Sequence, residues 1–470
     1  MATKKDLVEA HAFSRRRLVT AFVSGAPGGR EVEPARPGRT LIGGAALAVL
    51  LVAGAAITGI FTDRTPEGWD EPGLLISEDE GASYVVLLDG EGNPEARPVD
   101  NVVSARLALQ GQLDEPTTIA QDTIDTLPLG PEIGILQGPE TLPGSDEMVE
   151  SGWTACTGPA KALQVDVSAR PDATPIGDGQ AFVVKSEGEV WVVATAPATV
   201  DTPAQAYRYL LSMDNGRDFF LNEFGLSTQA QATAVSGDWL QLFPEGAPLD
   251  LDSFDVGEVG GEVPGLSRAE GVAGDYVATD DGGGYVLTSD GPGLLDPFAL
   301  AVYANAARGT DRTPLDIAPP DVDQNRDVYA GARWPTAAPE QAVPSGQCAL
   351  LETDPEGAPR AQAYAEPGED ASAADLPRAE RDVRVEPGAG AIFVVGDWSG
   401  APGTSTFVVD STGTAFNLEG PDTLTYLGYG DMTLPVVPDA WLDMFDTGFV
   451  LSPELALCPP QSVEEATECA

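Results

Sequence analysis

Four cysteines, one histidine and 74 carboxylates are the reactive inventory of this 470-residue chain. The histidine, His11, stands near the N-terminus, so the rest of the chain cannot assemble a Ser-His-Asp or Cys-His set or a histidine metal site. A phosphate-binding loop needs G-x-x-x-x-G-K-[ST], because its lysine neutralises the phosphates and its hydroxyl holds magnesium. No Gly-Lys pair occurs, and beyond Phe61 the lysines are Lys161 and Lys185 alone. So many carboxylates place acid pairs at glycosidase spacing by chance, which makes a carboxylate-dependent hydrolase the weakest reading. Asp321, Asp323 and Asn325 imitate the first ligands of a calcium loop. Arg326 stands where that loop needs glycine and Ala332 where it needs a bidentate glutamate, so the stretch reads as a solvated acidic loop. Asp280-Asp281-Gly282-Gly283-Gly284 reads as a hairpin turn rather than a dinucleotide fingerprint. No catalytic residue, metal ligand or cofactor is expected.

The cysteines (Cys156, Cys348, Cys458, Cys469) are even in number and form no C-x-x-C pair, so they read as two disulfides in an oxidising compartment. Cys458 and Cys469 are close enough to shut a small C-terminal loop, which leaves Cys156 to pair with Cys348 across the chain.

That compartment follows from the element upstream. Leu41 to Phe61 is a 21-residue run without a charge, and as a helix it spans about 31 Å, the thickness of a hydrocarbon core. Residues 1–40 carry eight Lys/Arg against four acids. The positive-inside rule therefore predicts a single-pass inner-membrane protein, N-terminus cytoplasmic and everything after Asp63 outside. A cleaved signal peptide fits less well, since about 39 residues precede the apolar run. The basic segment predicts a helix over 6–23 with Leu7, Leu18 and Phe22 on one side. Arg15, Arg16, Arg17 and Phe22 are the candidates for facing a membrane surface or a partner. The formal net charge of −49 argues against nucleic acid.

Beyond the membrane an aromatic, two aliphatics, three residues and a glycine recur four times. The runs are Tyr84-Val85-Val86 to Gly90, Phe182-Val183-Val184 to Gly188, Tyr285-Val286-Leu287 to Gly291, and Phe407-Val408-Val409 to Gly413. Each predicts a strand entering a hairpin, followed by a helix start at Asp100, Thr202-Pro203, Asp296-Pro297 and Gly420-Pro421. Trp239-Leu240 to Phe243, Gly246 and Leu249 matches Trp441-Leu442 to Phe445, Gly448 and Leu451 in spacing, and the first copy keeps Leu127 and Gly130. Both tryptophans read as core. Repeats of this kind imply a modular fold.

The expected architecture is α+β: one transmembrane helix, then an elongated pseudo-twofold outer region of four small β-hairpin/helix repeats around a central β-rich domain. The segments are 1–39 (cytoplasmic, basic), 40–62 (transmembrane), 63–145 (first repeat), 146–180 (central, with Cys156) and 181–256 (second repeat). They continue as 270–325 (third repeat), 326–395 (central, with Cys348), 396–457 (fourth repeat) and 458–470 (tail). The Ala/Pro/Glu/Asp-rich stretch from about Ala337 to Glu386 reads as partly disordered.

Taken together, HAFSRRRLVTAFVSG, the linker, LIGGAALAVLLVAGAAITG, the repeats and the Cys156/Cys348 arrangement resemble the EccB family of type VII (ESX) secretion systems. The resemblance implies four repeat domains around a central domain braced by Cys156–Cys348. It also implies a structural and assembly role beside an FtsK/SpoIIIE-type ATPase and a multi-spanning membrane subunit. Members of that family are sometimes labelled ATPases, which the absent phosphate loop contradicts for this chain. A membrane-tethered, peptidoglycan-binding protein is the alternative function, with the cell wall as partner.

Overall fold

The structure is a computed structural model that describes residues 4–24, 65–112, 115–177, 179–200, 202–213, 215–268, 270–317, 331–337, 339–342, 346–366 and 376–460. Leu41–Phe61, the acidic loop 321–327 and Cys469 lie outside these residues. Among the described residues no helix is long and apolar enough to cross a membrane. The chain divides into two compact units, Met1–Pro66 and Glu67–Ala470.

In the first unit a 21-residue helix, α1 (Lys4–Ser24), covers the predicted 6–23. Its Leu7 and Leu18 are 66% and 68% exposed.

The second unit begins with β1 (Gly73–Ser77), β2 (Ser83–Leu88), β3 (Pro94–Pro98), α2 (Val102–Ala108), β4 (Thr117–Ile119) and α3 (Gln121–Ile124). There follow β5 (Trp153–Thr157), β6 (Leu163–Val167) and β7 (Thr174–Pro175). Next come β8 (Gln180–Ser186), β9 (Glu189–Ala196), β10 (Gln205–Leu210), α4 (Arg217–Glu223), β11 (Thr233–Ala234) and α5 (Gly237–Gln241). Then β12 (Tyr276–Ala278), β13 (Gly284–Thr288), β14 (Gly291–Leu295), α6 (Pro297–Ala306) and β15 (Glu340–Gln341). The chain goes on through β16 (Gln347–Glu352), β17 (Arg360–Ala365), β18 (Arg381–Val385), β19 (Ala391–Gly396), β20 (Pro402–Val409) and β21 (Thr414–Leu418). It closes with α7 (Thr423–Tyr426), β22 (Val436–Pro438), α8 (Asp439–Leu442), β23 (Asp446–Thr447) and α9 (Pro453–Ala456).

Four small sheets share one plan. Three strands meander antiparallel, a helix follows, and the chain then returns parallel to the first strand. The return is β4 beside β1, β11 beside β8, and β22 beside β19. In the third sheet it is a single bridge from Pro314 to Tyr276 of β12. Each meander is buried on both faces: Val85 and Val86, Phe182 and Val183, Val286 and Leu287, and Val408 and Val409 are neighbours that enter different cores, which is why these strands read as apolar runs rather than as alternation. The turn at Asp280–Gly284 joins β12 to β13 as expected.

The shared plan corrects the alignment of the second aromatic run. Tyr84, Tyr285 and Phe407 sit on the middle strand of their meanders, whereas Phe182 sits on the first. The middle strand there is β9, with Trp191-Val192-Val193. One more strand must therefore be laid before the helix, and Thr202-Pro203 leads into β10, not into a helix. Elsewhere the helix starts lie close to expectation. Asp296 caps α6, its Oδ1 accepting from the Ala299 N–H at 2.7 Å, with Pro297 in the first turn. In the first sheet the cap is Asn101, one residue past Asp100, and α7 starts at Thr423.

The largest sheet runs β18-β6-β5-β16-β17-β7. Half its strands lie before β8 and half after β15, so its two halves meet only in three dimensions. The stretch predicted as partly disordered supplies three of these strands, β16, β17 and β18. Its described prolines fall outside the strands, while Cys348-Ala349-Leu350-Leu351 is buried throughout.

Three cores tie the sheets together. One joins the first and fourth small sheets through α2 and the α7–α9 region, with Leu107, Leu427, Tyr429 and Leu451. A second joins the second and third through α4 and α6, with Phe220, Phe298 and Trp334. The third seats the second and fourth sheets on the central one.

Candidate functional site

The central sheet has two unlike faces because successive side chains along a strand point oppositely. On β5, Trp153 and Ala155 enter the apolar core that the second and fourth sheets share, while Cys156 enters a separate cluster. On β16, Ala349 and Leu351 take the apolar side and Cys348 joins Cys156.

Trp153 is the hub of the apolar side. It is 1% exposed, and its ring meets Phe393, Phe445 and Trp441 edge-on, at 5.3, 5.6 and 6.4 Å between centroids. Its Nε1 donates to the Val149 carbonyl at 3.2 Å. From the second sheet Trp239 arrives on α5, stacks edge-on with Phe243 at 5.2 Å and donates from Nε1 to the Ala155 carbonyl at 2.9 Å. Trp441 arrives on α8, equally buried, but its Nε1 has no hydrogen-bond partner among the described residues. The two matched tryptophans are thus plugs that dock neighbouring sheets on the centre. Neither is exposed as a platform for sugar.

The rest of the matched spacing has a mechanical reason. Gly246 donates to the Arg208 carbonyl and Gly448 to the Ala415 carbonyl, at 3.0 and 2.8 Å. Three residues on, Leu249 and Leu451 donate to Leu210 and Asn417. Each segment runs along the outer strand of its meander, crossing an aromatic ring. A Cβ on Gly246 would run into Tyr209, and one on Gly448 into Phe416. Gly130 does the same against Ala96 in the first sheet.

On the opposite face Cys156 and Cys348 are direct cross-strand neighbours joined by a disulfide, 192 residues apart in sequence. They are 3% and 0% exposed, beneath Ala173 and Tyr364. Cys458 is also disulfide-bonded, and its carbonyl accepts from the Gly134 N–H, which ties the residues after α9 to the loop of the first sheet.

One strand over, in the row beside the disulfide, Asp166 lies between Thr154 of β5 and Arg384 of β18. Burial raises its carboxyl to about 6; Arg384 opposes the rise and Glu366, Asp382 and Asp172 add to it. The folded chain therefore holds this proton above the ordinary value of 3.8, and between the two values it binds more protons than the unfolded chain. Stability contributed here is lost as pH rises through that window. Asp166→Asn is expected to flatten the pH dependence between these limits and to gain about 1 kcal/mol at neutral pH, allowing for solvent screening. Urea unfolding of both proteins at pH values below and above the window checks it; parallel curves would refute it.

Arg15, Arg16 and Arg17 all lie on α1 and are exposed, and Phe22 is on the same helix with its side chain outside the described set. They belong to the first unit, whereas the disulfide and the tryptophan hub belong to the second. Sequence reasoning passed over Trp153 and Asp166. Trp153 was legible only as the large residue of an alternating run, Trp153-Thr154-Ala155-Cys156, whereas Asp166 had no sequence signal.

The chain matches the family described as "Type VII secretion system ESX-1, transport TM domain B" over residues 1–464. A relative, the ESX-1 secretion system ATPase EccB1 of Mycobacterium tuberculosis, is 29% identical over 224 residues, 45% of this chain and 42% of that protein. The ESX-5 secretion system ATPase EccB5 of the same organism is 24% identical over 308 residues, 62% of this chain and 56% of that protein. These matched stretches span about half the length of those relatives. Among solved structures, a chain of an intact ESX-5 inner membrane complex superposes with a TM-score of 0.61 at 22% identity, covering 98% of this chain and 96% of that one. A chain of the EccB3 dimer from the ESX-3 core complex gives 0.58 at 21% identity, covering 82% and 99%. These two likenesses concern the fold.

Proposed function

The chain belongs to the EccB family of type VII secretion, and from that premise we propose that it is a structural and assembly subunit of an ESX membrane complex. The family match over residues 1–464 carries this reading. We assign Leu41–Phe61 as the membrane anchor and everything after Asp63 as the part beyond the membrane. The four small sheets are its repeats, at 63–145, 181–256, 270–325 and 396–457, set around a central domain built from 146–180 and 326–395, except that β19 (Ala391–Gly396) belongs with the fourth sheet and moves that boundary back to 391. The shared meander-helix-return plan supports that division. Exposed Leu7 and Leu18 on a basic helix suit a membrane surface or the cytosolic side of a partner subunit. The partners we propose are an FtsK/SpoIIIE-type ATPase and a multi-spanning subunit.

The relatives carry "ATPase" in their names. We assign no nucleotide hydrolysis to this chain, on the ground that its sequence lacks any Gly-Lys pair. Gentle detergent extraction of the tagged full-length protein, followed by mass spectrometry, is expected to recover an FtsK-like ATPase and a multi-spanning subunit. The isolated chain is expected to release no phosphate from ATP. A monodisperse protein without such partners, firmly held by wall material, would replace this reading with a tethered wall-binding module.

A further inference from the structure

The two edges of the central sheet end differently. At one edge stands β7, two residues long and closed by Pro175, which cannot donate to another strand. At the other stands β18, five residues without a proline. In its parallel ladder with β6, Glu380 accepts from Leu163 and Glu386 donates to Val167. The even-numbered residues thus face β6, and the main-chain groups of Arg381 and Val383 point away. Among the described residues those outward groups have no hydrogen-bond partner.

This edge opens into a groove of about 620 Å³, walled by Lys161 before β6, Asp238 of α5 and Thr412-Gly413 of the β20–β21 turn. Arg381 is tied back to one wall, donating to the Asp443 carbonyl at 2.7 Å and to Asp446 Oδ1 at 3.1 Å. Asp382 is occupied by Arg384 Nε at 2.9 Å. Asp238, Glu380 and Lys161 make no ion pair among the described residues, so two free carboxylates face one free ammonium and the groove keeps a small negative excess within a chain of net −49. We propose that it binds an extended, cationic peptide segment of a partner protein, which adds as a strand along Arg381–Val383. Main-chain pairing would supply the affinity and Asp238 and Glu380 would select for basic side chains.

The probe is a short fluorescein-labelled peptide alternating valine and lysine, titrated by anisotropy into the full-length chain in detergent. A second peptide has the same sequence with alternate main-chain nitrogens methylated, which keeps the charge and removes the donors. The parent is expected to bind saturably, the methylated peptide at least about tenfold more weakly. Glu380→Lys, a change at an exposed site, is expected to weaken the parent about fivefold at low salt. Equal binding of the two peptides, indifference to Glu380→Lys, or no saturable binding would overturn the proposal. The outcome does not depend on whether secretion partners co-purify.

Discussion

Replacing Cys156 and Cys348 together by alanine is expected to lower the stability of the central sheet by about 5 kcal/mol. The bond closes a span of 192 residues, and the entropy that a crosslink removes from the unfolded chain grows with the logarithm of that span. In the folded state little need change, because a four-residue antiparallel register joins β5 and β16 in addition to the bond. The effect belongs to the unfolded ensemble. Trp153 packs on the other side of the same strand, so the part of the seven-tryptophan emission that Trp153→Phe removes reports the relevant transition during urea unfolding, even where the whole chain unfolds in stages. An unchanged midpoint in the double variant would mean that strand pairing persists in the denatured chain and already closes the loop.

Trp153→Ala is expected to cost about 3–5 kcal/mol, through a cavity that the surrounding rings cannot fill. Phe393 belongs to β19, while Trp441 and Phe445 come from α8 and the residues after it. The cavity would therefore open between the central and fourth sheets instead of inside either. The consequence is loss of cooperativity as well as of stability, with the fourth sheet and its partner, the first, melting separately from the centre. Calorimetry is expected to resolve one transition into two, while Trp153→Phe keeps one transition and loses about 1–2 kcal/mol. A single, merely shifted transition for the alanine variant would show that the sheets are held together elsewhere.

Spacing in the sequence exposed what is local or repeated. Trp239 and Trp441 were identified as core because two segments shared five matched positions, and both are fully buried. The cysteine count already set Cys156 against Cys348, as observed, but it did not say that the opposite face of the strands carrying them, β5 and β16, is the surface on which both tryptophans dock, which no local pattern encodes. The misplacement of Phe182 has the same origin. Its sheet has Phe-Val-Val on the first strand and Trp-Val-Val on the second, so an aromatic before two valines does not say which strand it marks. Counting strands between that run and the next helix would have separated the two cases. Asp166 is beyond any such device, because its raised carboxyl comes from burial and from charges on three other segments.

The second and third small sheets lie wholly between Cys156 and Cys348. With the sulfurs joined, everything from β8 to β14 belongs to a closed covalent ring that hangs from the central sheet. A protease that nicks this ring once, for instance in the exposed loop around Val259, leaves one molecule, still linked on both sides of the cut. Two cuts are needed before a fragment can leave. Outside the ring, at the first or fourth sheet, one cut suffices to break the covalent connection. The portion of the chain joined to its ends only through the centre is thus the portion best protected against severance.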